Sequence, residues 1–328
     1  MRTKLAVLIF VFVLAVLANS LIEQTSAQVP APDFDLSFVF WTATLKTPQG
    51  TVKVFLPNDM AAGDTISGTV IAEPSGKTEE EKQRNAAELN GYVVELENQK
   101  SPVSGGVMRG ILLPPGTKAL NLTLLDKKGM SVANAKFNLK TPDPLPHPST
   151  FVVGALGQTG KPIVVHGPFD GNSANTSAKV ADSKANVIAE SPRKIVVEGP
   201  RDVVGPTNIE INEKGTTASR PFRNLKIDLT APKTSLLKGE STELHVQVSG
   251  LQGLNQPIQI EIQNQSPSTI NLAGGNTQTI PIQPSQVTPG GTFNWSTNVT
   301  GTGKGGFIIT GSLPGTTPSP SPTPVSSP

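Results

Sequence analysis

The stretch Thr242–Gly250, TELHVQVSG, decides how the rest of the chain is read. Leu244, Val246 and Val248 take alternate positions, with Glu243, His245 and Gln247 between them. A pleated strand sends successive side chains to opposite faces, so this spacing buries one face and wets the other. A helix would spread the same six residues around its whole circumference. The device recurs. In Gln256–Asn264, QPIQIEIQN, the apolar set is Ile258, Ile260 and Ile262. In Asp33–Trp41, DFDLSFVFW, Phe34, Leu36, Phe38 and Phe40 alternate with Asp33, Asp35 and Ser37. Thr51–Pro57, Thr65–Pro74, Gly91–Glu97 and Ser131–Thr141 follow the same rule. The chain is therefore expected to be all-β, built of β-sandwich layers.

One segment breaks the period of two. Thr78–Asn90, TEEEKQRNAAELN, opens with Thr78-x-x-Glu81, the spacing of a capping box, and has acids in its first turn. Its apolar content is Ala86, Ala87 and Leu89, so a short helix is expected on the surface between strands. Further on, Asp126–Gly129, DKKG, reads as a hairpin turn. With Gly 31 and Pro 30 in 328 residues, turns are frequent, and the prolines are spread between apolar runs rather than massed.

The ends read differently from the middle. Arg2 and Lys4 precede an uncharged run, Leu5–Ala18, about the length of a signal-peptide core and short of the ~20 residues that span a bilayer. Small residues at Thr25–Ala27 suit cleavage there, so residues 1–27 are expected to be a leader and the mature chain to be exported. Loss of Arg2, Lys4 and Glu23 takes the formal charge from +2 to +1. Such a balance offers no field for nucleic acid or an anionic membrane. There is no cysteine, hence no disulfide framework and no thiolate metal site. Each domain must then be stabilised by its own core. Residues 28–142 form a first expected domain, a β-sandwich carrying the helix near 78–90. Residues 143–150 lie in a segment with prolines at 142, 144, 146 and 148, which favours an extended linker. Residues 151–223 and 224–313 form the second and third domains, and 314–328 is a Pro/Ser/Thr-rich tail with no apolar period.

The second block resembles an IPT/TIG-type immunoglobulin-like domain. The resemblance is carried by KPIVVHGPFDGN (Lys161–Asn172) as entry strand and Gly-Pro-Phe turn, by AKVADSKANVIAES (Ala178–Ser191), and by IVVEGPRDVVGPTNIEI (Ile195–Ile211). His166 before the glycine and the long DGNSANTS loop depart from that pattern. The third block resembles a bacterial Ig-like domain, most clearly in LLKGESTELHVQV (Leu236–Val248). LTLLDKKGMSVANAKFNL (Leu122–Leu139) resembles a prealbumin-like or Ig-like strand pair. The likeness implies tandem immunoglobulin-like β-sandwiches with one helical insertion in the first, used for spacing, adhesion or ligand contact. It names no catalytic residue.

Candidate chemistry is sparse. His166, Asp170, Ser173 and Ser177 share one stretch, but closeness in sequence is not a triad, and no Gly-x-Ser-x-Gly elbow occurs. The three histidines, 147, 166 and 245, lack metal-ligand spacing. Asp33 with Asp35, Asp59 with Asp64, and Asp170 with Asn172 lack the spacing of a calcium loop and read as strand faces or Asx turns. Gly154–Pro162 misses the phosphate-loop pattern by one position and has Pro162 where a hydroxyl is required. No catalytic, metal or cofactor residue is assigned. Trp41 and Trp295 are the candidate contacts: Trp41 has the parity of the outward set, Trp295 sits among small polar residues, and an exposed indole stacks on sugars or anchors a protein. Five Asn-x-Ser/Thr sites begin at Asn121, Asn175, Asn264, Asn294 and Asn298. The expectation is a non-enzymatic exported structural, adhesive or interaction protein whose partner is a protein or glycan at the cell surface. A carbohydrate-binding accessory module is the alternative. A hydrolase would require His166 or His245 in a concave pocket beside Ser or Asp.

Overall fold

The computed structural model describes residues 40–139, 143–147, 149–233, 235–303 and 307–314. The expected leader, the strand residues 33–39 and the tail from residue 315 lie outside the described residues. The protein is all-β, and its described strands enclose three hydrophobic cores.

The first core lies between two antiparallel layers. One layer holds β1 (Phe40–Thr47), β2 (Gly50–Pro57) and β3 (Thr65–Pro74). The other holds β4 (Val93–Leu96), β5 (Gln99–Pro102), β7 (Ala119–Leu125) and β8 (Ser131–Asn138), with β6 (Val107–Leu112) pairing back onto β3. Val52, Val54 and Leu56 of β2 share this core with Leu120, Leu122 and Leu124 of β7. The expected helix is α1 (Glu79–Leu89). Thr78 caps it through the Glu81 N–H at 3.2 Å, and the Glu81 side chain accepts from Lys77 N–H at 2.8 Å. The reciprocal bond thus lands one residue before the cap. Leu89 is its buried residue, which holds the helix to the surface as its composition requires. The DKKG turn joins β7 to β8, with Asp126 Oδ1 accepting from the N–H groups of Lys128 and Met130, each at 2.8 Å.

The second core lies between β9 (Val152–Val153), β11 (Ile163–His166), β14 (Val187–Ser191) and β15 (Lys194–Val197) on one side and β12 (Thr176–Val180), β13 (Ser183–Ala185), β16 (Gly205–Glu213) and β17 (Thr216–Thr230) on the other. The short β10 (Leu156–Gln158) runs parallel to β17. β17 does not stop at the sequence boundary between residues 223 and 224. It carries Phe222 into the second core and Leu225 into the third, and between them Asn224 is fully buried, donating to Val203 O at 2.7 Å. The third core is closed by β18 (Ser241–Ser249), β20 (Ile270–Leu272) and β22 (Thr292–Gly301) beside β17, facing β19 (Ile258–Asn264), β21 (Thr277–Ile282) and β23 (Ile309–Ser312). β18 alternates buried and exposed residues along its length, as TELHVQVSG requires.

The first two cores share a seam. β14 pairs with β3 through Glu190 opposite Ser67, which makes the two sheets continuous. Phe40 and Phe55, on the other face of β1 and β2, pack edge to face at 5.7 Å and meet Ala189 and Val196. Polar groups fix the rest. The Arg193 guanidinium is 5% exposed and pairs with Asp64, itself 3% exposed. It also donates to Asp59 O at 2.7 Å and to Leu145 O at 3.4 Å. The Ser67 hydroxyl donates to Gly171 O at 2.9 Å and accepts from Gly110 N–H and Ser173 N–H, each at 3.0 Å. Gly171 has φ +78°, and a Cβ there would stand 1.8 Å from Thr65 O, so only glycine lets the loop approach β3.

Removing one partner of a buried ion pair leaves the other charge unpaired at a cost of ~3–5 kcal/mol. Arg193→Met should lower stability by about that amount in urea unfolding, and adding Asp64→Leu should restore part of the loss. A single variant as stable as the parent would show that the pair does not hold the seam.

Candidate functional site

The loop after β11 is placed by Phe169, which is 8% exposed in the second core and donates its N–H to Pro192 O at 3.1 Å. Asp170 follows and is held from all sides. Its Oδ1 accepts from Asn172 N–H at 2.8 Å, its Oδ2 accepts from Asn175 Nδ2 at 2.6 Å, and Lys214 Nζ lies 3.0 Å from Oδ2. Its own N–H donates to Glu213 Oε1 at 2.6 Å. Glu213 ends β16 opposite Thr176, the first residue of β12. Glu190 enters from β14 on the other sheet. Carboxylate oxygens of Asp170, Glu190 and Glu213 lie within 4.8 Å of one another, at the corner where the second sandwich meets β3.

The three acids have different environments. Glu190 is fully buried, and neither carboxyl oxygen has a hydrogen-bond partner. Burial pushes its pKa up to about 8; the nearby Thr176 hydroxyl opposes the rise without forming a bond of ordinary geometry, and the charges of Asp170 and Glu213 reinforce it. Burial also raises Glu213, against the Asp170 N–H. For Asp170 burial pushes upward, but the Asn175 amide, the Asn172 N–H and Lys214 together outweigh it and hold the carboxyl below its ordinary value. Asp170 in turn raises Lys214. Such a cluster can hold protons or a hard cation among its oxygens.

The residues singled out in the sequence fall elsewhere, with one exception. Trp41 is 4% exposed and stacks on Phe137 with ring centroids 5.3 Å apart. The outward parity assigned to it fails because β1 is covered on both faces: Trp41 fills the first core while Phe40 fills the seam. It presents no indole to a ligand. Trp295 is half-buried on β22, opposite Val246, and packs against the third core. His166 is exposed at the end of β11 opposite Lys194 and Val152, and His245 is exposed on β18, 3.8 Å from Glu243. His147 is exposed and contacts Pro192 O through Nδ1 at 3.1 Å. Asp59 and Asp64 face Arg193. Of the glycosylation-type asparagines, Asn264 is 5% exposed and spends its amide on Ile270 O, whereas Asn121, Asn175, Asn294 and Asn298 are exposed. The exception is Asp170. It forms the Asx turn read from the sequence, yet the fold also brings it two acids from positions 20 and 43 residues further on. Glu190 carried a signal, a single acid inside the apolar run Val187–Ala189 and Ile195–Val197; Glu213, at a strand end, carried none.

No protein-family model and no curated protein matches the chain. Solved structures show distant likeness. One is a structural genomics protein of unknown function from Bacteroides thetaiotaomicron, 12% identical over 30% of this chain and 35% of that one, with a TM-score of 0.21. This chain therefore spans about a third of that protein's length. Another is SGBP-B from a complex xyloglucan utilization locus in Bacteroides uniformis, 13% identical over 84% and 97%, with a TM-score of 0.26. A third is FdeC, an Escherichia coli adhesin, 13% identical over 84% and 96%, with a TM-score of 0.21. At these TM-scores the likenesses carry no inference about this chain.

Two outcomes follow. Trp41→Ala should cost ~3–5 kcal/mol in chemical denaturation, the range for a buried aromatic, and a stable Trp41→Ala protein that loses a ligand would contradict its placement. For Glu190, an acid raised in the folded state keeps a proton that the unfolded chain releases. Its contribution therefore erodes stability as pH rises from ~4.5 to about 8. In chelator-treated buffer Glu190→Gln should remove a slope approaching ~1.4 kcal/mol per pH unit across that window. An unchanged pH profile would place an ionised Glu190 in the folded protein.

Proposed function

We propose that the chain is an exported, non-enzymatic structural or interaction protein of the cell envelope or extracellular space, with an IPT/TIG-like second domain. The observation that carries this reading is where the polar chemistry goes. Three of its buried polar groups, Arg193, Asp64 and Ser67, are spent on joining two cores, and β17 runs unbroken from the second core into the third. This is the construction of a protein that holds β-sandwiches in fixed relation. The described surface includes open strand faces. On β18 and β22, Glu243, His245 and Gln247 stand opposite Asn298, Ser296 and Asn294 on one exposed polar face, with Gln247 donating to Asn294 at 3.1 Å. Carboxylate, amide and hydroxyl groups on a flat sheet suit a protein or glycan partner. A hydrolase reading finds His166 and His245 exposed on separate cores. Among the described residues, no helix is long and apolar enough to cross a membrane.

The reading is tested by expressing the full chain in a host with an export pathway. It should be recovered outside the cytoplasm without roughly its first 27 residues, as N-terminal sequencing would show. The purified chain should turn over no esterase, glycosidase or peptidase substrate in a manner lost on His166→Ala or His245→Ala. Cytoplasmic recovery with the leader intact, or turnover that depends on either histidine, would overturn it.

A further inference from the structure

We infer that Asp170, Glu190 and Glu213, with the Thr176 hydroxyl, form a binding site for one calcium ion that fastens the seam between the first two cores. The inference goes beyond the interaction role above and does not depend on it. Its first support is geometric. Oxygens from three carboxylates lie within 4.8 Å of one another, a spread compatible with a central ion at the 2.3–2.6 Å Ca–O distance. The second support is independent of that spacing. Glu190 has no exposure and both of its carboxyl oxygens lack partners, as does Thr176 Oγ1 beside it. A carboxyl group is not sealed from water without a partner at small cost, and one of its oxygens lies within 4.8 Å of an oxygen of each of the other two acids.

Charge balance points the same way. Lys214 reaches Asp170 at 3.0 Å, but its side chain is 62% exposed and its bond is to that one acid. A divalent ion that displaced the Glu190 proton would compensate the carboxylates of Glu190 and Glu213, which Lys214 does not bond. Ligand chemistry selects the ion. The donors are carboxylate and hydroxyl oxygens with no histidine among them, which disfavours zinc. Magnesium demands a near-ideal octahedron and keeps several waters, whereas calcium accepts an irregular set of oxygens supplied by different segments.

The site's position gives it a consequence. Asp170 belongs to the loop that Ser67 of β3 grips through Gly171 O and Ser173 N–H. Glu190 is the residue by which β14 pairs with β3. Glu213 and Thr176 belong to the opposite sheet of the second sandwich. One ion would tie together the loop, the seam strand and the far sheet.

The test uses the full chain, stripped of metal with a chelator and titrated with CaCl2 or MgCl2 in calorimetry and thermal unfolding. One calcium per chain is expected, with the unfolding temperature raised by several degrees at saturation. Glu190→Gln and Glu213→Gln should each weaken binding ~10-fold or more. Lys214→Ala should tighten binding, because it removes the cation that competes for Asp170; this variant keeps the test alive if the others fold poorly. The inference is overturned if no heat and no thermal shift appear up to ~10 mM calcium, above the range of weak extracellular sites. It is equally overturned if the shift survives undiminished in both Gln variants, or if Lys214→Ala weakens binding. A shift with magnesium and none with calcium would overturn the choice of ion.

Discussion

A buried guanidinium sets the relation between the first two cores. Arg193 sits in the turn between β14 and β15, and its partners Asp59 and Asp64 sit in the turn between β2 and β3. Neither turn can be desolvated alone, since each would seal an uncompensated charge away from water. They are buried together or not at all. Once they dock, β14 lies beside β3, Ser67 meets the loop after β11, and Phe40 and Phe55 gain a second apolar surface on Ala189 and Val196. The carboxylate cluster is a consequence of the same docking, because Glu190 is the residue that faces Ser67 across the joint.

This explains which parts of the structure are legible in the sequence. β18 and β19 read directly, because each buries one face and wets the other. The helix reads from Thr78 and Glu81, and the β7–β8 turn from Asp126 and Gly129, since caps and turns are settled within a few residues. β1 misleads, because alternation presumes that one face meets water and the seam removes that condition for Phe40 and Trp41 alike. β17 is legible in part: the boundary between residues 223 and 224 falls where the chain passes from the second core to the third, but no residue there signals that a single strand runs through it.

The site is the least legible part for the same reason. Its ligating oxygens come from a loop, a strand interior and a strand end, and the spacing between them is set by sheet packing rather than by a motif. Asp170 looks like an Asx turn because locally it is one. Function in such a chain is distributed likewise: the buried polar groups determine how the sandwiches are held, and the exposed strands of the third core present the broad polar surface.

The first two cores open as one unit because the seam between them is buried and polar. Native-state hydrogen exchange in graded denaturant measures this directly. The amides of Ser67–Thr69 in β3 and of Ile188–Ser191 in β14 should share one opening free energy and one denaturant dependence. Exchange of the β3 amides through an opening that leaves β14 protected would contradict it.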